Sequence, residues 1–177
     1  MTEPIEIRVP GDKSISHRAL IFAALATGRS RIHDILLSAD VQSTAGVLRA
    51  LGVAVPPLGD NVIIDARGAR AMLAPTVDLD CGNSGTTTRL MAGVAAGCDF
   101  RTRFVGDASL SRRPMKRVAR PLIEMGARVE LEAGDGLPMT IHGGTLRPIA
   151  WTSETASAQI KSAIILAGVV GGVDVEV

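Results

Sequence analysis

The sequence predicts an α/β protein of the mixed, α+β type, in which repeated β-α-β-α-β-β units pack around buried helices. Two observations indicate this class. Short alternating apolar stretches, typical of strands, are separated by longer apolar patterns of helical period. One layout also recurs, beginning at Ile5, Val77 and Ile149. The whole chain (1–177) is therefore predicted to be a single, incomplete domain. The predicted units span about 5–76, 77–148 and 149–177.

Each predicted element follows from its periodicity and its end signals. The second helix begins after Ser38, a favoured N-cap, and the fourth begins at Pro114, which suits a first turn. Gly52 and Gly126 end helices at equivalent places in the first two units. Pro121 is expected to kink or shorten the fourth helix. Strands are expected at 5–9, 30–34, 53–55, 62–65, 77–80, 101–105, 128–132, 139–142, 149–152 and 173–177. Helices are expected at 14–27, 39–51, 86–96, 114–125 and 157–169.

The third unit is truncated in the sequence. It has an opening strand, a loop, one helix and a final strand pattern that stops at Val177. A repeated unit needs neighbours to bury its apolar face. We therefore expect the chain to be a fragment of a longer protein, with a natural domain of two and a half units as the alternative.

The composition excludes several classes of protein. The 177 residues are 46% hydrophobic and 21% charged, with a net charge of +1, which is typical of a globular protein and not of a disordered one. Near-neutral charge and 2% aromatic residues argue against nucleic-acid binding. Two cysteines, Cys81 and Cys98, are too few for a disulfide scaffold. We find no apolar run long enough to span a membrane and no secretory signal, so a cytoplasmic location is expected.

Three strand-to-helix loops carry residues suited to an anion, because a helix N-terminus has free N–H groups and a partial positive charge. The loop GDKSISHR holds Lys13, Ser14 and Arg18, of which the last two share a helix face. Taken alone, it is more simply explained as an N-cap serine with solvated charges. The loop GNSGTTTR offers Asn83 and Gly85, and SETASAQIK offers Ser157 and Gln159. Each of these two, taken alone, also fits a turn with a helix cap.

A fourth segment, GDASLSRRPMKRVAR, is strongly basic. Residues 101–120 hold seven of the 19 Lys and Arg residues, against one acid, Asp107. Arg113 precedes Pro114 at a helix start, where its planar guanidinium suits a carboxylate or a phosphate. Arg117 and Arg120 are assigned to a solvated face. Binding of a nucleic-acid backbone is a further alternative for this segment.

Other chemistry lacks support in the sequence. His17, His33 and His142 have no metal-ligand spacing, and no histidine lies near the cysteines in a zinc pattern. No metal site is therefore predicted. The first loop lacks the order of a Walker motif, and Ser14 is not in a G-x-S-x-G elbow.

Together the four loops resemble the 5-enolpyruvylshikimate-3-phosphate synthase family. The matching strings are GDKSISHR (11–18), GNSGTTTR (82–89), GDASLSRRPM (106–115) and SAQIKSA (157–163). The family is more than twice as long as this chain, so the resemblance identifies its N-terminal portion. It implies two similar domains of three units each, with the active site in the cleft between them. The acid–base residues would lie in the missing half, and the fragment alone is expected to be inactive.

The resemblance also implies a reaction. The enolpyruvyl group of phosphoenolpyruvate is transferred to the 5-hydroxyl of shikimate 3-phosphate, and phosphate is released. This step precedes chorismate in aromatic amino-acid biosynthesis, and the family uses no metal or organic cofactor. Lys13 would contact both substrates as the catalytic candidate. The residues implied for shikimate 3-phosphate are Lys13, Ser14, Arg18, Ser157, Ala158 and Gln159. Those implied for phosphoenolpyruvate are Lys13, Asn83, Gly85, Arg113 and Gln159.

Two further expectations come from the resemblance. Glyphosate, the herbicide of this family, would pack at Gly85, and a glycine there predicts a sensitive full-length enzyme. The sister enzyme, which transfers enolpyruvyl to UDP-N-acetylglucosamine, typically carries a cysteine in the loop matching GDASLSRRPM. This chain has Ala108 and no cysteine there. The sister activity and a non-catalytic anion-binding module remain the alternatives.

Overall fold

The structure, a computed structural model, describes residues 9–132, 134–154 and 156–177. Residues 5–8 of the first expected strand lie outside the described residues. Six α-helices, one short 3-10 helix (Ala69–Ala71) and eight strands are present in the described part of the chain. The helices are α1 (Lys13–Leu25), α2 (Ala39–Ala50), α3 (Gly85–Ala96), α4 (Ala108–Ser111), α5 (Lys116–Glu124) and α6 (Ala158–Gly171). The strands are β1 (Thr27–His33), β2 (Asn61–Arg67), β3 (Leu79–Asp80), β4 (Arg101–Val105), β5 (Arg128–Leu131), β6 (Met139–His142), β7 (Ile149–Ala150) and β8 (Val175–Glu176).

The strands form three small sheets of mixed direction. β1 and β2 pair antiparallel over seven residues, from Thr27 opposite Arg67 to His33 opposite Asn61. The central sheet has the order β3-β4-β6-β5, in which β3 and β4 are parallel and the other pairs antiparallel. β7 and β8 form a short parallel pair. The predicted mixed α/β class is therefore confirmed.

Helix α3 lies at the centre of the fold. Ten of its twelve residues are buried, as expected for a helix that is apolar on nearly all sides. It packs most extensively against α6. The two helices approach closely because small residues face each other: a Cβ added at Gly93 would lie 2.1 Å from the carbonyl oxygen of Ala163.

The helix ends follow the predicted signals. The hydroxyl of Ser38 accepts a hydrogen bond from the Val41 amide at the start of α2. Gly52 and Gly126 have φ angles of 83° and 112°, in the left-handed region that glycine adopts without strain. Both predictions are confirmed.

Several predicted bounds were wrong. Residues 53–55 form no strand, because the Val55 amide bonds to the Val53 carbonyl and the Val55 carbonyl accepts from Arg49 (2.7 Å). Helix α1 ends at Leu25, and pairing with β2 extends β1 back to Thr27. The fourth predicted helix, 114–125, corresponds to α5, which begins two residues later at Lys116, so Pro114 precedes the helix instead of lying in its first turn. The short helix α4 before it was not predicted. Pro121 remains inside α5.

Candidate functional site

Three helices, α1, α3 and α6, begin at the three predicted anion-binding loops, and side-chain hydrogen bonds join their N-terminal ends. Arg18 of α1 donates from Nη2 to the hydroxyl of Ser162 in α6 (2.7 Å). The amide nitrogen of Gln159 in α6 donates to the Thr86 hydroxyl of α3 (3.0 Å). The loops are far apart in the sequence but adjacent in the fold. Free N–H groups and partial positive charge at these helix ends favour an anion.

The first loop presents two cations from the start of α1. The Asp12 carboxylate caps the helix by accepting from the Ile15 amide (2.8 Å). Lys13, half-exposed, forms an ion pair with Asp40 in the first turn of α2. The guanidinium of Arg18 also donates from Nη1 to the backbone carbonyl of Ser14 (3.1 Å). The exposed side chain of Ser14 therefore lies beside the Arg18 guanidinium, whose two terminal nitrogens are each fixed by a hydrogen bond.

The second loop is joined to the basic segment through Asn83. Its amide nitrogen donates to Asp107 (2.6 Å), and its oxygen accepts a short hydrogen bond from Arg113. Gly85 leaves space for guanidinium groups: an added Cβ would lie 2.6 Å from Nη1 of Arg89 and 3.3 Å from Nη1 of Arg113. Two cations therefore contact the loop where the sequence analysis expected the phosphoenolpyruvate residues.

The third loop contributes one side chain to this arrangement. The hydroxyl of Ser157 is the N-cap of α6 and accepts from the Ile160 amide (3.4 Å). Ala158 is the exposed first residue of the helix. The Gln159 carbonyl oxygen accepts from Nη1 of Arg89 (3.0 Å). Gln159 therefore bridges two groups of α3, whereas Ser157 acts on its own helix.

Positive charge accumulates at the start of α3. Burial and the neighbouring charges of Arg113 and Arg117 lower the pKa of the Arg89 guanidinium below its usual value. The hydrogen-bond partners of Arg89 are the carbonyls of Gly85 and Pro114 and the side chain of Gln159, none of them charged. Among the described residues, Arg18, Arg89 and Arg113 have no carboxylate partner within salt-bridge distance. The arrangement can therefore attract an anionic ligand.

One acid adjoins this cluster. Asp107 caps α4 through the Leu110 amide (2.7 Å). Its pKa is held below the usual range, chiefly by the hydrogen bond from Asn83 and then by the Leu110 amide. The carboxylate therefore orients Asn83 while Asn83 accepts from Arg113.

Two residues of the first loop face the interior instead of an anion. The Ser16 hydroxyl donates to the Asp12 carbonyl (2.7 Å) and accepts from the Leu36 amide (3.0 Å). His17 is fully buried, and burial lowers its pKa to about 4, so the imidazole is neutral at physiological pH. Lys13 and Arg18 are therefore the residues of this loop that offer positive charge to a ligand.

Sequence reasoning missed several partners. Asp40, Ser162 and the role of Arg89 depend on contacts between distant segments. A signal for Arg89 existed, since it lies at nearly the same offset in its unit as Arg18. Lys161 lies at that offset in the third unit, but it is exposed, and Ser162 contacts the first loop instead.

The described residues also bear on metals and membranes. In these parts of the chain no three His, Cys, Asp or Glu side chains group closely enough to hold a metal ion. Cys81 and Cys98 are buried free thiols, and burial raises their pKa values to about 12 and about 11. None of the helices described has the length and apolar character needed to cross a membrane.

Comparison with known proteins gives one consistent result. The model of a family described as EPSP synthase (3-phosphoshikimate 1-carboxyvinyltransferase) matches residues 4–177. The 3-phosphoshikimate 1-carboxyvinyltransferase of Geobacillus kaustophilus is 51% identical over 163 residues, which are 92% of this chain and 38% of the relative. The corresponding protein of Halorhodospira halophila is 52% identical over 165 residues, 92% of this chain and 37% of its own length.

A solved structure is similar as well. The EPSP synthase of Acinetobacter baumannii superimposes with a TM-score of 0.88 at 41% sequence identity, over 92% of this chain and 37% of that one. The chain thus spans less than two fifths of the length of the relatives that it matches.

Proposed function

This chain belongs to the EPSP synthase family, and we propose from that premise that it is the N-terminal part of an enzyme that transfers enolpyruvyl from phosphoenolpyruvate to the 5-hydroxyl of shikimate 3-phosphate. The observation that carries the proposal is the meeting of three helix N-termini, joined through Arg18 and Gln159. The hydrogen-bond partners of Arg18, Arg89 and Arg113 in this site are all uncharged. Both proposed substrates are polyanions, so such a site matches their charge.

In the proposed site the two anions share Lys13 and Gln159 and are otherwise held by different residues. Lys13, Ser14, Arg18, Ser157, Ala158 and Gln159 are assigned to shikimate 3-phosphate. Lys13, Asn83, Gly85, Arg113 and Gln159 are assigned to phosphoenolpyruvate. Gln159 is suited to an intermediate position because it already bonds to both Arg89 and Thr86.

The chemistry required of these residues is electrostatic and positional. Two anions repel each other in a cleft of low dielectric constant, and fixed cations and helix N-termini offset that repulsion. The 5-hydroxyl of shikimate 3-phosphate then gives up its proton to a base as its oxygen bonds to C2 of phosphoenolpyruvate, and the methylene carbon gains a proton from an acid. The tetrahedral adduct expels phosphate and loses a methyl proton, which restores the double bond. Holding the hydroxyl oxygen against C2 makes the step effectively intramolecular, which raises its rate.

The proposed enzyme needs the remaining part of its chain. Helix α6 is apolar on most sides, which is typical of a buried helix, yet Val169 is 62% exposed and Phe22 of α1 is 54% exposed. We expect the missing C-terminal part to cover this surface, to supply the acid–base groups and to close the cleft. The 177 residues alone are expected to have no measurable turnover, and the complete enzyme is expected to act in the cytoplasm.

The first test is a binding titration. Trp151, the single tryptophan, lies beside Arg117, Ser153 and Ile160, close to the third loop. Its emission should change saturably with shikimate 3-phosphate and not with inorganic phosphate or UDP-N-acetylglucosamine. A response to UDP-N-acetylglucosamine alone would favour the sister activity. A response to phosphate alone would favour a non-catalytic anion-binding module.

The second test restores the missing part. The chain is fused to the C-terminal part of the Geobacillus kaustophilus relative, and phosphate release is measured with both substrates. Arg113→Ala should raise KM for phosphoenolpyruvate about 10- to 100-fold, because a charged hydrogen bond contributes about 1.5–3 kcal/mol. Arg112→Ala is the matched control, since its side chain is exposed and makes no hydrogen bond with any described residue. Equal effects of the two substitutions would contradict the assignment.

A further inference from the structure

A chain of buried polar side chains runs beneath the site. Nδ1 of His17 in α1 lies 2.7 Å from the hydroxyl oxygen of Thr44 in α2. That oxygen lies 2.7 Å from the hydroxyl of Thr87 in α3. The Thr87 hydroxyl donates to the Ser84 hydroxyl oxygen (2.7 Å). All four residues are completely shielded from solvent, so water cannot replace a lost partner.

The direction of the protons follows from counting donors. The hydroxyl of Thr87 has one proton and two acceptors beside it, the Ser84 hydroxyl oxygen (2.7 Å) and the Asp40 carbonyl oxygen (3.2 Å). With its proton engaged by either of these, Thr87 accepts from Thr44. The hydroxyl of Thr44 then has no proton left for His17 and must accept from the Nδ1–H of the imidazole. This leaves Nε2 of His17 as a bare acceptor, and no described residue forms a hydrogen bond with it. An unpaired acceptor is a more common arrangement in a protein interior than an unpaired N–H.

The ends of this chain lie within the two loops that carry the candidate site. His17 is adjacent to Arg18 and one helical turn beyond Lys13. Ser84 lies between Asn83 and Gly85. Helix α2 contacts both loops, because Asp40 pairs with Lys13 and its backbone carbonyl oxygen lies 3.2 Å from the Thr87 hydroxyl, as an alternative acceptor to Ser84.

We propose that His17, Thr44, Thr87 and Ser84 form a positioning network that sets the spacing between loops 11–18 and 82–89. His17 acts in it as a neutral hydrogen-bond donor and touches no ligand. Apolar side chains could fill the same volume, but hydrogen bonds have a preferred length and direction and therefore fix the relative register of three helices. The consequence for ligand affinity rests on the proposed function, whereas the coupling between the loops does not.

Hydrogen exchange of backbone amides tests the coupling without any ligand. The probe is the amide of Ser16, which bonds to the Asp12 carbonyl (3.0 Å) in the first loop. Thr87→Val removes a hydroxyl in α3 and should lower protection of that distant amide about 10-fold, because a buried partner left unpaired weakens its neighbours. An amide in the middle of α6 serves as the reference for global unfolding.

Thr88→Val is the matched control. Thr88 is equally buried in the same helix, but its hydroxyl donates to the Ser84 carbonyl (3.0 Å) and not toward α1 or α2. This variant should leave protection of the Ser16 amide unchanged relative to the α6 reference. If Thr87→Val and Thr88→Val affect the Ser16 amide equally, the proposed network is wrong.

The role of the imidazole has its own test. Nitrogen NMR should show His17 as the neutral Nδ1–H tautomer, without titration between pH 5.5 and 8. His17→Leu should lower protection of the Thr88 amide in α3 about 10-fold, and His17→Asn, whose amide N–H can replace Nδ1–H, should restore most of it. An Nε2–H tautomer, or an asparagine variant no better than leucine, would overturn the proposal.

A ligand-binding experiment distinguishes the proposed network from the proposed function. With the Trp151 titration, Thr44→Val and Thr87→Val should weaken shikimate 3-phosphate binding about 10-fold, and Thr88→Val should change it less than twofold. Failure of the unmodified chain to bind shikimate 3-phosphate would count against the proposed function alone, because the exchange experiment still decides the network. Normal binding by Thr87→Val would contradict the positioning role.

Discussion

The substitution Gly93→Ala tests the packing that brings the third loop to the second. A Cβ at Gly93 would lie 2.1 Å from the Ala163 carbonyl oxygen and 2.8 Å from its Cα. An ordinary contact between carbon and a carbonyl oxygen is about 3.3 Å, so α6 must withdraw from α3 by roughly 1 Å. These atoms belong to the backbone of a buried helix, and no side-chain rotation relieves the contact.

The expected magnitude combines two opposing effects. Overpacking a core typically costs about 1–3 kcal/mol, and this contact lies at the severe end of that range. Replacing a helical glycine by alanine stabilises the folded state by about 0.5–1 kcal/mol, because alanine loses less conformational entropy on folding. The net loss in the free energy of unfolding should be about 2 kcal/mol. Since 1 kcal/mol shifts Tm by about 2–4 °C in a protein of this size, Tm should fall by about 5 °C.

Gly46→Ala is the matched control, because Gly46 also lies within a helix, α2, but an added Cβ would meet nothing within 4 Å. That substitution should stabilise the protein by about 0.5–1 kcal/mol. Urea unfolding followed by circular dichroism and by Trp151 emission measures both variants. Gly93→Ala should also weaken ligand binding, because Gln159 moves with α6. A Gly93→Ala protein as stable as Gly46→Ala would refute the assigned helix contact.

Three further predictions follow from single sites. Gly85→Ala should displace the Arg89 guanidinium, which an added Cβ would approach to 2.6 Å, and phosphoenolpyruvate and glyphosate binding in the completed enzyme should both weaken; unchanged affinities would be inconsistent with this crowding. Cys81 and Cys98, whose pKa values are raised by burial to about 12 and about 11, should react with a disulfide reagent only after unfolding, and rapid labelling of the folded chain would contradict their burial. The pKa of Asp107 is lower in the folded state than in the unfolded state, so its contribution to stability is present above the unfolded-state pKa and is lost as the pH falls toward the folded-state pKa. Asp107→Asn should therefore flatten the acid side of the Tm–pH curve, and an unchanged slope would argue against that contribution.

Local features of the sequence predicted most of the regular structure. Ser38 and Gly52 bound α2 because a cap and a left-handed residue act within one helical turn. Errors arose where a distant partner decided the outcome. β1 extends to Thr27 because β2 pairs with it across the whole of its length. The division into three repeated units stays a prediction.

In the candidate site, too, local sequence predicted the residues, whereas contacts between distant segments came only from the structure. The loop residues were predicted from motifs, since Lys13, Arg18, Asn83 and Arg113 are chemically suited to anions wherever they lie. Their roles as ligand residues stay predictions. The structure adds what the motifs do not contain, including the ion pair of Lys13 with Asp40 and the hydrogen bond of Asn83 to Arg113.

The sequence by itself determined the family, the mixed α/β class and the chemistry available at each loop, because caps, periodicity and motif spacing are encoded within short segments. Only the tertiary structure decided which loops meet. Arg18 donates a hydrogen bond to Ser162, 144 residues away in the chain. His17 is buried and neutral, although Arg18 next to it is charged. Both outcomes depend on how α1, α3 and α6 pack, and packing is a property of surfaces brought together by the whole chain.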